Sequence, residues 1–150
     1  MAGLEHPNVV RLQGLCKDPL CVLMEYCPYG DLHSYIHSRR ERKQQLPFSY
    51  IIEVLYDIAC GMNFLHTATP PILHRDLKSP NILLCRISPD EARLADSFPQ
   101  PRYPGTDENV VAKVADFGLS LRTDGPVTGR VVDNPLWLAP ELLSRKPYSL

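Results

Sequence analysis

One short stretch of the chain brings together side chains that could act on a substrate. Between His74 and Asn81 it carries a carboxylate at Asp76, an ammonium at Lys78 and an amide at Asn81. Such groups are costly to bury unless they are paired, and clusters of them are common at functional sites. An apolar helical pattern precedes the stretch and an apolar run follows it, which predicts a loop. We therefore expect the chemistry of this protein to lie here.

Two further short motifs follow this stretch along the chain. Asp116-Phe117-Gly118 begins 40 residues after Asp76, and Ala139-Pro140-Glu141 closes the series. In order and spacing the three resemble the signatures H-R-D-L-x-x-x-N, D-F-G and A-P-E of eukaryotic protein kinases. Each tripeptide is weak by itself, whereas three in this order are very specific. The chain therefore resembles the middle of a protein kinase domain.

The resemblance implies a task for each of four polar residues. Phosphoryl transfer depends mainly on positioning and on neutralising the charge that spreads over the γ-phosphate oxygens. Asp76 is expected to accept or orient the proton of the substrate hydroxyl, and Lys78 to contact the γ-phosphate. Asn81 and Asp116 are expected to hold Mg²⁺ through oxygen ligands. The implied cofactors are ATP and Mg²⁺, and the implied partner is a protein substrate.

Met24-Glu25-Tyr26-Cys27 resembles the hinge that joins the two lobes of a kinase. Met24 matches the gatekeeper position, and Glu25 and Cys27 are expected to offer backbone groups to adenine. Asp31, seven residues after Met24, is expected to hydrogen-bond the ribose. Leu83 is expected to pack beneath the adenine ring.

Other matched residues are expected to have structural roles. Leu12, His74 and Phe117 match positions that stack into the hydrophobic spine of an assembled kinase, so His74 is expected to be structural rather than a general base. Gly118 and Glu141 belong to the second and third motifs.

Arg75, directly before Asp76, is expected to pair with a phosphorylated residue of the segment from Asp116 to Glu141. Thr128 is the first candidate for that phosphate, followed by Thr123 and Ser120. The phosphate would come from an upstream kinase or from autophosphorylation. The alternative is that these hydroxyls are exposed loop groups with no regulatory role.

Lys78, two residues after Asp76, resembles the loop of serine/threonine kinases rather than that of tyrosine kinases. The segments Lys78 to Asn81, Val114 to Ser120 and Trp137 to Glu141 resemble the tyrosine-kinase-like group of that branch. Pro70-Pro71-Ile72 and Asn134 favour its Roco members. Transfer of the γ-phosphate to a protein Ser or Thr hydroxyl is the activity that the resemblance implies.

The elements that must position these residues are short and alternate in type. β-favouring segments at Val9 to Leu15 and Leu20 to Tyr26 predict a hairpin, and Asp31 predicts the cap of a helix that runs towards Arg40. The charged run from Arg39 to Lys43 predicts a solvated surface. Further predictions are an extended Ile72-Leu73, strands at Ile82 to Leu84 and Val110 to Ala115, and a helix start near Pro140.

One longer helix is predicted between Pro47 and Thr67. Its apolar residues recur at spacings of four and three, which aligns them on one stripe. Ile52, Val54 and Ala59 widen this stripe, so we expect the helix to be deeply buried. The stripe consists of Ile51, Leu55, Ile58, Met62 and Leu65.

Composition excludes several other classes of protein. Sixteen Lys and Arg against 17 Asp and Glu give a net charge of -1, which provides no electrostatic footprint for nucleic acid. Apolar runs such as Ile82 to Leu84 fall far short of the roughly 18 residues of a membrane span. We therefore expect no nucleic-acid partner and no membrane span.

The five cysteines give no sign of a metal or redox centre, because none forms a C-x-x-C pair near histidine. We expect free, partly buried thiols. The N-terminus lacks a basic region followed by an apolar stretch, so no secretory signal is apparent and a cytoplasmic location is expected.

The resemblance covers roughly the middle half of a kinase domain. It implies an α+β, two-lobed kinase-like fold that is incomplete, with residues 1–27 in the N-lobe and hinge and residues 28–150 in the C-lobe. The Pro-rich stretch 88–109 is expected to be a flexible insertion. The Gly-rich phosphate loop, the strand lysine and its helix glutamate are not in the sequence.

Two functions compete. The first is a fragment of a serine/threonine kinase, inactive as this chain alone but part of an active complete domain. The alternative is a truncated, non-catalytic kinase-like binding module. Because neighbouring helices would be missing, the apolar stripe of the long helix is expected to be partly uncovered and the isolated chain to be marginally folded or aggregation-prone.

Overall fold

The computed structural model describes residues 4–86, 110–129 and 135–149. Within these ranges strands and helices both occur, as the predicted α+β class requires. The predicted flexible insertion at 88–109 and the Asn134 position lie outside the described residues. The division into lobes at residue 27 stays a prediction.

A β-hairpin forms the first part of the structure, as predicted. Strands β1 (Leu12–Lys17) and β2 (Leu20–Met24) pair antiparallel, with Cys16 opposite Cys21. The first strand begins three residues later than the sequence pattern indicates. Val9 instead forms an isolated bridge with Val114 and is buried, so this segment joins the core rather than the hairpin.

Helix α1 (Leu32–Glu41) begins where the sequence predicts. The side chain of Asp31 caps it by accepting a hydrogen bond of 2.8 Å from the Ser34 backbone N–H, which satisfies a donor that the first turn leaves without a partner. Arg39 and Arg40 in the last turn suit the negative end of the helix dipole. The charged run from Arg39 to Lys43, which overlaps the end of α1, is mostly exposed, as expected for a solvated surface.

Helix α2 (Phe48–His66) packs against the strands through a face that is shifted from the predicted stripe and shares Leu65 with it. The Asp57 carboxylate accepts a hydrogen bond of 2.9 Å from the backbone N–H of Ala112. At Gly61 a Cβ atom would lie 2.5 Å from the carbonyl oxygen of Asn8, so only glycine allows this close approach. The buried residues of α2 are Tyr50, Val54, Asp57, Gly61 and Leu65.

The prediction of a deeply buried helix is wrong. Ile51 is 39% exposed and Leu55 is 56% exposed, whereas Ile58 and Met62 are partly buried against the core and Leu65 is fully buried. The helix is apolar on nearly all sides, so periodicity cannot identify the face that packs. Among the described helices, α2 is also long and apolar enough to cross a bilayer, which is weak support for a span because core helices meet the same criteria.

Two further strand pairs carry the loops of interest. Strands β3 (Ile72–Leu73) and β6 (Leu121–Arg122) pair antiparallel, and so do β4 (Ile82–Arg86) and β5 (Val110–Val114), with Leu83 opposite Lys113. Single 3₁₀ turns occur at Ser79–Asn81 and Pro135–Trp137, and helix α3 (Pro140–Leu143) follows the second turn. Strands β3, β4 and β5 and the α3 start agree with the sequence predictions, whereas β6 was not predicted. The main core lies between α1, α2, β4 and β5 and contains Leu32, Tyr50, Val54, Ile82, Leu84, Val110, Ala112 and Val114.

Not all of the cysteines are free thiols, and this prediction is wrong for two of them. Cys27, after β2, and Cys85, in β4, form a disulfide although 58 residues separate them in the sequence. Among the described residues Cys16, Cys21 and Cys60 remain free. No local pattern marks the bonded pair, because only the fold brings β4 alongside the segment that follows β2.

Candidate active site

The loop between β3 and β4 assembles three of the predicted functional side chains. Oδ2 of Asp76 accepts hydrogen bonds from Nζ of Lys78 at 2.8 Å and from Nδ2 of Asn81 at 2.9 Å. The Asn81 amide also donates to the Asp76 backbone carbonyl at 2.9 Å. The Asp76 and Lys78 side chains are 15% and 23% exposed, so this carboxylate is paired yet still open to solvent.

The buried His74 ring contacts the backbone of this loop. His74 is 2% exposed. Its Nδ1 accepts a hydrogen bond of 3.2 Å from the Asp76 backbone N–H, and its Nε2 lies 2.9 Å from the Ala115 carbonyl oxygen. These partners require a neutral ring with the proton on Nε2. Burial lowers the pKa of His74, partly offset by the hydrogen bond to Ala115. The environment fits the predicted structural role and holds the Asp76 backbone in place.

Asp116 is joined to the loop through a backbone contact. The Ala115 N–H donates to the carbonyl oxygen of Asn81 at 2.9 Å, so Asp116 directly follows a residue held against the cluster. Asp116 is exposed and has a φ of 61°, and its Oδ1 accepts from the Gly118 N–H at 3.2 Å. A positive φ is uncommon for a residue other than glycine and is often found at functional sites.

The oxygen atoms of Asn81 and Asp116 suit a hard divalent cation. Mg²⁺ is usually bound by one or two protein oxygens together with substrate phosphates and water, rather than by a full protein cage. The two hydrogen bonds of the Asn81 side chain both use its amide nitrogen, so its amide oxygen is the atom that a cation would take. Accordingly, the described residues contain no cluster of three or more His, Cys, Asp or Glu that would bind a metal unaided.

The predicted hinge residues lie beside β4. The Leu84 N–H donates to the Gly30 carbonyl at 2.9 Å, and Asp31 forms a β-bridge with Leu83. Cys27 is bonded to Cys85 in the same strand. Met24 lies opposite Leu12 at the end of the hairpin and is 55% exposed. The segment from Cys27 to Asp31 therefore borders the strand that holds Leu83.

Both carboxylate oxygens of Asp31 already accept hydrogen bonds from Ser34 at the start of α1. One oxygen accepts from the Ser34 N–H at 2.8 Å and the other from the Ser34 hydroxyl at 2.7 Å. Slight burial opposes ionisation, but these hydrogen bonds outweigh it and lower the pKa of Asp31. A ribose hydroxyl at this position would share an acceptor with Ser34.

Sequence reasoning missed one charged contact near the hinge. Lys113 lies in β5 with its side chain 1% exposed and forms an ion pair with Glu25. A lysine within the otherwise apolar strand Val110–Val114 is the signal that could have indicated it. Its partner could not have been identified, because 88 residues separate the two.

The structure brings together only part of the predicted spine. The rings of His74 and Phe117 meet with their centroids 5.1 Å apart. Phe117 packs against the main core and against a second core cluster of Val9, Leu65 and Ile72. Leu12 belongs to neither cluster and lies in the hairpin. Gly118 donates to Asp116, as described above. Glu141 lies exposed in the first turn of α3.

Arg75 contacts the segment that follows Asp116. Its Nε donates to the Leu119 carbonyl at 2.6 Å, and a guanidinium nitrogen lies 3.3 Å from the Tyr148 hydroxyl. Thr128 is exposed and follows Val127, which exchanges two backbone hydrogen bonds with Tyr148.

The other two candidate phosphorylation sites use their hydroxyls locally. The Ser120 hydroxyl donates to the Phe117 carbonyl at 2.8 Å, and the Thr123 hydroxyl donates to the Gly125 carbonyl at 3.0 Å.

Comparisons with known proteins identify the family that the chain resembles. A family model described as protein tyrosine and serine/threonine kinase matches residues 1–150. The probable serine/threonine-protein kinases pats1 and roco8 of Dictyostelium discoideum are 47% and 40% identical to the chain over 97% and 99% of its length. The cyclic GMP-binding protein C of the same organism is 39% identical over 99%. The chain spans only 4%, 7% and 5% of the length of these three relatives.

Proposed function

Because this chain belongs to the family of protein tyrosine and serine/threonine kinases, we propose that it is part of a protein serine/threonine kinase that transfers the γ-phosphate of ATP. The supporting observation is the assembled cluster of Asp76, Lys78 and Asn81 beside Asp116. The similarity to Roco kinases predicted from Pro70-Pro71-Ile72 and Asn134 agrees with the relative named roco8. The protein substrate supplies a Ser or Thr hydroxyl.

In the proposed reaction the hydroxyl oxygen attacks the γ-phosphorus, the bond to the β-phosphate oxygen breaks, and ADP leaves. The Asp76 carboxylate orients the hydroxyl and accepts its proton, and the Lys78 ammonium neutralises charge on the transferred group. The hydrogen bonds from Lys78 and Asn81 fix the Asp76 side chain before substrate arrives.

Mg²⁺, when bound, neutralises phosphate charge and orients the phosphates. The residues that would hold it are Asn81, through its amide oxygen, and Asp116, through its carboxylate. The bond from the Ala115 N–H to the Asn81 carbonyl keeps their backbones in register. Gly118 limits the orientation of the Asp116 side chain by donating to Oδ1.

At the other end of the nucleotide, the backbone of Glu25 and Cys27 would bind adenine, with Met24 beside it and Leu83 beneath it. Asp31 would hydrogen-bond the ribose while still capping α1. The bridge between Asp31 and Leu83 supports this arrangement, because it keeps the ribose position close to the adenine position.

We also propose regulation through Arg75. Thr128 is the first candidate for phosphorylation, because it is exposed whereas the Thr123 and Ser120 hydroxyls bond to nearby carbonyls. A phosphate on Thr128 would compete with Tyr148 for the Arg75 guanidinium. An upstream kinase or autophosphorylation would supply it, and the proposed location is cytoplasmic.

The test uses the complete natural protein that carries this chain. It is incubated with Mg²⁺, labelled ATP and a general acceptor protein, and the labelled amino acids are identified. We expect phosphoserine or phosphothreonine, and loss of transfer in Asp116→Asn, whose amide is a poorer Mg²⁺ ligand. The control is Asp124→Asn, an exposed carboxylate of the same segment. Label on tyrosine alone, or equal transfer by Asp116→Asn, would contradict the proposal.

A further inference from the structure

Lys113 is a charged residue in a strand that is otherwise apolar and fully buried. All five residues of β5 are buried, and the Lys113 side chain is 1% exposed. Removing an ammonium group from water costs several kcal/mol unless it is paired. The charge of Lys113 is paired with the carboxylate of Glu25, whose side chain is 20% exposed.

Both the side chain and the backbone of Glu25 form hydrogen bonds with neighbouring residues. One carboxylate oxygen accepts from Lys113, and the other accepts from the Arg11 backbone N–H at 3.1 Å. The Glu25 N–H in turn donates to the Arg11 carbonyl at 2.9 Å. Glu25 is thus fixed between Arg11, directly before the hairpin, on one side and β5 on the other.

The position of Lys113 links this residue to the rest of the proposed nucleotide site. In the β4–β5 pair Lys113 lies directly opposite Leu83, the residue proposed beneath adenine. It also precedes Asp116 by three residues in the chain. The Lys113 side chain therefore connects the β4–β5 pair, which carries Leu83, with Glu25 of the segment proposed to bind adenine.

A buried ion pair is by itself weak evidence that the pair stabilises the fold. Replacing a buried ion pair by uncharged groups of similar volume is often neutral or stabilising, whereas a directional pair fixes the geometry of its partners. We infer that Lys113 is a positioning residue that holds the hinge backbone, through Glu25, in the geometry that recognises adenine. This inference rests on the function proposed above.

The test compares variants of the complete natural protein. Lys113→Met alone would leave the Glu25 carboxylate without its charged partner and could unfold the protein. The double variant Lys113→Met/Glu25→Gln removes both charges and keeps the side-chain volumes similar. We expect its affinity for adenosine, measured by calorimetry, to fall about tenfold, equivalent to about 1.4 kcal/mol. Because adenosine has no phosphates, this result isolates the adenine end of the site.

Two further variants serve as a conservative replacement and as a control. Lys113→Arg retains the cation and should recover most of the adenosine affinity. Glu5→Gln removes the exposed ion pair between Glu5 and Arg11, whose side chains are 69% and 63% exposed, and should leave the affinity unchanged. In kinase assays the double variant should raise KM for ATP about as much as it weakens adenosine binding, with a smaller effect on kcat.

The outcomes separate this inference from the proposed function. If the unmodified protein binds neither adenosine nor ATP, the proposed function fails and the inference fails with it. If it binds both, and the double variant binds adenosine equally tightly at an unchanged melting temperature, only the inference is overturned. A fall in melting temperature and kcat without a change in adenosine affinity would also overturn it, because Lys113 would then be only structural support.

Discussion

At the scale of single residues, the Asp76 carboxylate, which is the proposed catalytic group, is ordered by several neighbours. Lys78 and Asn81 donate to the same oxygen, and the buried His74 ring accepts from the Asp76 backbone N–H. Asn81 also donates to the Asp76 backbone carbonyl, so both the side chain and the backbone of Asp76 are fixed. Such prior ordering lowers the cost of reaching a reactive geometry when substrate binds.

A pH dependence follows from His74. Its pKa is lowered by burial from 6.5, so as the pH falls below about 6.5 the unfolded chain binds a proton that the folded ring resists. The free energy of unfolding should decrease as the pH falls through this range and be fully retained above it. The partly buried His6 and His66, whose pKa values are also lowered by burial, act in the same direction.

Urea unfolding of the complete protein at pH 7.5 and pH 5.5 measures this effect. His74→Gln, which cannot bind the proton, should lose less stability between the two pH values than the unmodified protein. If both proteins respond equally to pH, His74 does not carry the dependence assigned to it.

Residue types and their order were sufficient to predict the cluster around Asp76, because its members lie within six positions of one another. The contacts that were missed are long-range. Lys113 and Glu25 are 88 residues apart, and the bonded Cys27 and Cys85 are 58 residues apart. Short-range spacing contains no information about such pairs, which depend on how the strands assemble.

At the scale of elements, local signals predicted the strands well and the packing of α2 poorly. The β1–β2 hairpin, the Asp31 cap and the β4–β5 pair depend on turn, cap and strand residues that act over a few positions. The packed face of α2 depends instead on Asp57 and Gly61, which contact distant backbone. An apolar stripe cannot distinguish this face when the opposite face is also apolar.

Gly61→Ala tests the contact between α2 and the segment around Asn8. Alanine favours helices over glycine by about 1 kcal/mol, but its Cβ would meet the Asn8 carbonyl oxygen at 2.5 Å. We expect a net loss of about 1–3 kcal/mol, typical of overpacking, in urea unfolding of the complete protein. Asn63→Ala, at an exposed position of the same helix, is the matched control and should change stability by no more than about 0.5 kcal/mol. A more stable Gly61→Ala variant would argue against this packing.

At the scale of the whole molecule, the described residues leave a broad apolar surface uncovered. On α2 alone, Phe48, Ile51, Ile52, Leu55 and Tyr56 are between 39% and 76% exposed. Contiguous apolar surface of this kind is typical of interfaces and of aggregation-prone chains. The predicted partial uncovering of the stripe is therefore confirmed for Ile51 and Leu55, although the predicted deep burial of the helix is wrong.

This surface predicts how the 150-residue chain behaves by itself. Light scattering should detect association at micromolar concentration, and the double variant Ile51→Gln/Leu55→Gln should reduce it without loss of helix content. Val54→Ala on the packed face is the comparison, and it should lower stability by about 1–3 kcal/mol because it leaves a cavity. A monomeric chain with a cooperative thermal transition would refute this expectation.

Phosphate transfer by the complete protein is the most direct measurement of the central claim that the Asp76 cluster is catalytic. Transfer from ATP to an acceptor protein is compared between the unmodified protein and Asp76→Asn, and ATP affinity is measured in parallel. We predict that kcat falls by about 10²–10⁴, the usual contribution of general acid–base catalysis, while ATP binds almost as tightly. Equal transfer rates in the two proteins would contradict the account. So would the result expected of a non-catalytic binding module, in which neither protein transfers phosphate and both bind a partner equally well.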